Sequence, residues 1–88
     1  MTKLNMTDIK TTIRNPYAWP GGYPLYFVTA DGAALSIKAA RDNFKAIVWA
    51  WMNDANDGWL IEAYDVNWED SDLTCDHTGE KIESAYGD

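Results

Sequence analysis

The chain of 88 residues has one cysteine, one histidine, seven basic residues and three prolines. Each scarcity excludes something. A lone Cys75 cannot form an internal disulfide, and the expectation is a reducing, cytoplasmic setting. One histidine leaves little imidazole for a metal centre or a catalytic triad. No apolar run approaches the ~20 residues that span a bilayer, and residues 1–10 lack the apolar core of a signal peptide. All three prolines fall within residues 16–24, so the rest of the chain is free of them.

Five Trp, five Tyr and two Phe are present instead. Each large ring can bury about 150–250 Å², which compensates for the small core of so short a domain. With 47% apolar residues, one folded domain over residues 1–88 is expected.

The net charge of −7 is unevenly placed. Residues 1–53 hold six cations against three carboxylates, a net +3. Residues 54–88 hold Lys81 against eleven carboxylates, a net −10. An acidic half of this kind repels nucleic acid and anionic membranes, and it favours a partner with a basic surface. The bland reading is a solvated face that aids solubility.

Residues 1–13 read as a flexible lead-in with room for one short strand over 8–13. The run Asn15-Pro-Tyr-Ala-Trp-Pro-Gly-Gly-Tyr-Pro24 excludes helix and marks an ordered loop. Its Tyr17, Trp19 and Tyr23 can cover a core edge or form a recognition surface. Residues 25–29 read as a strand, Asp31-Gly32 as a hairpin turn, and 33–35 as the return strand.

Ser36 is placed to cap the next helix. Ile37, Ala40, Phe44, Ile47, Val48, Trp51 and Ala55 follow helical spacing, which predicts one amphipathic helix of about 18 residues. Trp49 falls beside the apolar stripe. The Asn/Asp cluster and Gly58 stop the helix. Residues 59–67 read as a strand with neither face cleanly apolar, and 81–86 as a short final strand anchored by Ile82 and Tyr86. The fold class expected is α+β: a small antiparallel sheet packed on one amphipathic helix, in the order β-hairpin–α–β.

Several segments carry a resemblance. They are Arg14-Asn-Pro-Tyr-Ala-Trp-Pro-Gly-Gly-Tyr-Pro-Leu-Tyr-Phe27, Asp31-Gly32, Arg41-Asp-Asn43, Asn56-Asp-Gly-Trp59, Asn67-Trp-Glu69 and Cys75-Asp-His-Thr-Gly-Glu-Lys-Ile-Glu-Ser-Ala-Tyr-Gly87. Together they resemble a group of small phage and prophage proteins, mostly without assigned function, over residues 14–87. Members of that group look like small zinc proteins with two Cys-x-x-Cys pairs, a ligand set suited to tetrahedral Zn²⁺. The resemblance implies ligand positions at Ser36 and Ala39 and at Cys75 and Thr78. Only Cys75 is still a cysteine. The implied fold is a degenerate zinc-ribbon-like one without metal or other cofactor, whose stability comes from packing.

Catalytic patterns are weak. Cys75 and His77, two residues apart, would share a strand face about 6–7 Å apart, but no third group orients them. Six carboxylates within 69–83 should push the thiol up. The run Glu69-Asp70-x-Asp72 does not match a calcium-loop spacing. Gly21-Gly22 does not open a helix, so it is no phosphate loop.

The expectation is therefore a non-enzymatic binding protein. With the phage resemblance, it reads as an inhibitor of a nucleic-acid-handling or defence complex in the host cytoplasm, anti-CRISPR-like, that mimics nucleic acid. Its partner would be a host protein or ribonucleoprotein. The partner-binding residues expected are Glu69, Asp70, Asp72, Asp76 and Glu80, with Trp68 as an aromatic anchor. The alternative is a structural or regulatory adaptor derived from a zinc module that has lost its metal. It would use Tyr17, Trp19 and Tyr23, or the helix side with Lys38, Arg41 and Lys45. A homodimer through a strand edge or Trp49 is compatible with either.

Overall fold

A computed structural model describes residues 4–18, 23–55, 57–68 and 72–84. Its elements run α1 (Met6–Arg14), β1 (Tyr17–Ala18), β2 (Tyr23–Thr29), β3 (Ala34–Leu35), α2 (Ile37–Asp42), α3 (Phe44–Asn53) and β4 (Ile61–Val66). This is an α+β fold built on a small antiparallel sheet.

Strand β2 is the hub. It pairs antiparallel with β4 from Leu25↔Val66 to Thr29↔Ile61. It also pairs with β3 at Phe27↔Leu35 and Val28↔Ala34, and its first residues pair with β1. The core takes one or more side chains from every longer element: Ile9 of α1, Phe27 of β2, Leu35 of β3, Ala40 of α2, Ile47 of α3 and Ile61 of β4. Cys75 and Ile82 close it from the C-terminal side. Among the described residues, no helix is long and apolar enough to cross a membrane.

Four sequence expectations need correction. Residues 6–14 are a helix, not a lead-in with a strand over 8–13. Asn5 caps it, its side chain accepting the Thr7 N–H at 2.7 Å. Asp8 lies in the first turn and Arg14 in the last, both favourable to the helix dipole. The β-branched Thr7, Thr11 and Thr12 disguise it, yet Thr12 hydroxyl donates back to the Asp8 carbonyl at 2.8 Å. Burial of Ile9 supplies what propensity does not.

The single helix expected after Ser36 is two. Asn43 divides them: its backbone N–H and its side-chain amide both donate to the Ala39 carbonyl, at 3.0 and 2.9 Å. An Asn side chain competes with the helical ladder in this way. The Ser36 cap is as expected, accepting from the Ala39 N–H at 3.0 Å. The second helix ends on Asp54, itself left-handed at φ 51. Trp49 is exposed at 56%.

Strand β4 does not alternate cleanly through 59–67. Val28 opposes Ala63 while Thr29 opposes Ile61, so Glu62 is an extra residue. Such a bulge shifts the strand's phase. Ile61 and Tyr64, three apart, therefore face Thr29 and Phe27, two apart. The final strand expected at 81–86 is only a Thr74↔Lys81 bridge among the described residues; Tyr86, one expected anchor, lies outside them. Ile82, the other expected anchor, is buried, and Asn67 ties it, donating from its buried amide to the Ile82 carbonyl at 3.2 Å.

Candidate functional site

Residues 74–81 form a tight hairpin that carries most of the site. The Cys75 N–H donates to the Glu80 carbonyl and the Gly79 N–H to the Cys75 carbonyl, both at 2.8 Å. Gly79 sits at φ +77, a conformation that glycine takes without a Cβ penalty. The Asp76 N–H donates to the Ala34 carbonyl at 2.8 Å, which staples the hairpin to β3.

This staple places Cys75 beside Ser36. The Ser36 N–H donates to Cys75 Sγ at 3.4 Å. Burial pushes the thiol up, but N–H and hydroxyl donors from Ser36 and Thr78 outweigh it and bring it down to about 7. Among the described residues, none of the carboxylates expected to raise it acts on it. The correction has a plain reason: Asp72, Asp76, Glu80 and Glu83 are exposed while the sulfur faces inward, 1% exposed. Of the four ligand positions that the phage resemblance implies, Ser36, Cys75 and Thr78 thus meet at one sulfur. Ala39 lies one helical turn from Ser36, its N–H on the Ser36 hydroxyl.

A buried thiol is closed to substrates, and its expected imidazole neighbour is turned elsewhere. His77 packs on Trp59 with ring centroids 4.2 Å apart. Among the described residues, no three His, Cys, Asp or Glu side chains converge as metal ligands do.

The Trp59–His77 pair instead forms a wall of a polar cleft of ≈ 330 Å³. Asp31 reaches it from the β2–β3 turn, Asp57 from the loop before β4, and Asp76 from the hairpin. All three are exposed, and among the described residues no Lys or Arg lines the cleft. Asp31 accepts from the Thr29 hydroxyl, and that bond holds its carboxyl below the ordinary range. Asp57 accepts from the Trp59 N–H at 3.1 Å, which sets the loop. Three carboxylates lining one cleft attract a cation by charge.

The expected binding residues divide. Asp76 lies in the cleft, and Glu80 is exposed on the same hairpin. Asp72 is exposed outside it. Trp68, 46% exposed, packs on Tyr23 with centroids 4.7 Å apart. That places it at the opposite end of β2 from Thr29, roughly 20 Å along the strand. Trp68 thus joins Tyr23 of the aromatic loop rather than the cleft. Tyr17 is 47% exposed. Glu69, Asp70 and Trp19 lie outside the described residues.

Sequence reasoning missed Asp31, Asp57, Trp59 and His77 as site residues. Asp31 and Asp57 carry turn signals that account for them locally; β2–β4 pairing brings their segments together, with the Ala30 N–H on the Leu60 carbonyl, and the staple to β3 adds Asp76. Compared with protein-family models, curated proteins and solved structures, the chain matches none.

Proposed function

We propose that the protein is a non-enzymatic inhibitor that docks through its acidic side onto a basic surface. The surface belongs to a host complex that handles nucleic acid or serves defence. The observation that carries this reading is the cleft in which Asp31, Asp57 and Asp76 accompany the Trp59–His77 wall with no Lys or Arg among the described lining residues. An arginine or lysine side chain of a nucleic-acid-binding groove matches that chemistry in charge and shape. Exposed Asp65, Asp72, Glu80 and Glu83 extend the negative field around it. Such a field speeds association and makes it salt-sensitive. The phage resemblance supports a host complex as the partner.

The test is capture from nuclease-treated host lysate at low and high salt, with wild type and an Asp57→Lys/Asp76→Lys variant. A basic complex retained at low salt, released by salt and lost in the variant is expected. Retention by the variant at low salt would refute the reading.

One observation favours the second reading, an adaptor descended from a metal module. Ser36, Cys75 and Thr78 meet at one point, where the resemblance implies ligands.

A further inference from the structure

Five of the seven basic residues of this acidic chain line two adjoining grooves on the side of α1 and α2. The first groove, ≈ 380 Å³, has Lys10, Arg14 and Arg41 around a floor of Ile13 and Phe44. Among the described residues, no carboxylate lines it. The second, ≈ 260 Å³, shares Arg41 and adds Lys38 and Lys81 over Leu25 and Ile37. Lys38 is already paired with Asp42 at 3.1 Å, and Glu83 stands at the rim of this second groove. Lys10, Arg14 and Arg41 are therefore the cations that face the first groove without a competing carboxylate in its lining.

This concentration comes from the fold. Lys10 and Arg14 are one turn apart on α1 and face the same way. Packing of α1 on α2 sets them opposite Arg41, and the closing segment brings Lys81 to the far end. A chain of net charge −7 has little cause to gather its cations over apolar side chains, since dispersal among its carboxylates would lower its self-repulsion.

We infer that these grooves bind an acidic, apolar peptide segment of a partner protein, independently of the acidic cleft. The apolar floors take Leu- or Phe-like side chains, and the rim cations take Asp or Glu. A nucleic acid fits less well: its phosphates would meet the rim and its bases could stack on Phe44 and Tyr17, but the acidic remainder of the chain repels it. The inference goes beyond the proposed inhibition and survives if that reading fails, because the two surfaces share no lining residue.

The test uses the full chain and fluorescence anisotropy with a short labelled peptide that repeats Glu-Glu-Leu-Phe. Comparison probes are an all-Glu peptide, a Lys-Lys-Leu-Phe peptide and a single-stranded oligonucleotide. Binding of the Glu-Glu-Leu-Phe probe above the others is expected, weakened at least about tenfold by Arg41→Glu or Arg14→Glu. Lys45→Glu, the same charge change at an exposed position outside both grooves, should leave it within about twofold. Circular dichroism confirms that each variant folds. Absence of binding, preference for the oligonucleotide, or equal loss in Lys45→Glu would overturn the inference. So would concentration-dependent self-association of the wild type that Arg41→Glu abolishes, since the occupant would then be a second copy.

Discussion

Cys75 should make the stability of this protein rise with pH through a range where few groups titrate. Its thiol lies at about 7 in the folded chain against an ordinary 9.0. A depressed folded value means that the folded state binds the proton less well than the unfolded one. The stabilisation is therefore full above pH 9 and is lost as pH falls through 7. Two units correspond to a plateau of roughly 3 kcal/mol, and linkage places most of that gain between pH 7 and pH 9. The sulfur is buried, so solvent does not screen the effect. The assay is urea unfolding of wild type and Cys75→Ala across pH 6 to 9, followed by Trp fluorescence. Subtracting the two curves cancels the other titrating groups and leaves the thiol. Thr78→Val keeps the N–H donor and removes the hydroxyl, so it should raise the thiol and narrow the swing. A wild-type-minus-Cys75→Ala difference that stays flat from pH 6 to 9 would refute the account of a thiolate held by Ser36 and Thr78.

Other consequences follow from the same contacts. Ser36→Cys/Ala39→Cys/Thr78→Cys should create a four-thiolate site, because Ser36 and Thr78 already meet Cys75. Co²⁺ titration should show tetrahedral thiolate absorption, and a featureless spectrum would deny the convergence. Asn67→Ala should cost about 1–3 kcal/mol by leaving the buried Ile82 carbonyl without its donor; urea unfolding reads it. Trp51→Phe removes the 2.8 Å indole bond to the Leu4 carbonyl and should cost about 1 kcal/mol. Hydrogen exchange should then quicken in α1, and unchanged protection there would count against that tie. Phe27→Ala empties the centre of the sheet and should cost about 3–5 kcal/mol, enough to populate the unfolded chain at room temperature.

The local elements and the charge layout were legible from residue order. The hairpin around Asp31-Gly32, the Ser36 cap and the strand after Gly58 rest on signals between near neighbours, and charge asymmetry is a sum along the chain. The α1 helix was not legible, because its threonines favour other conformations and only burial of Ile9 against the core tips the balance. The break at Asn43 was hidden for a related reason: the apolar spacing runs through it, while the competing amide bond is a matter of geometry. The bulge at Glu62 depends on the partner strand.

What the sequence by itself determined was that residues 54–88 carry the negative charge and that no second cysteine accompanies Cys75. Where that charge acts was decided by tertiary structure. The Asp76 N–H bond to Ala34 folds the acidic hairpin against β3 and adds Asp76 to the cleft where β2–β4 pairing has already brought Asp31 and Asp57. The same bond carries Cys75 to Ser36, across 39 residues of chain, and turns an isolated thiol into a group held by four donors. Packing of α1 on α2 likewise assembles the basic grooves from residues that lie about 30 apart. No local preference encodes such meetings, because they are fixed only when the core around Phe27 closes.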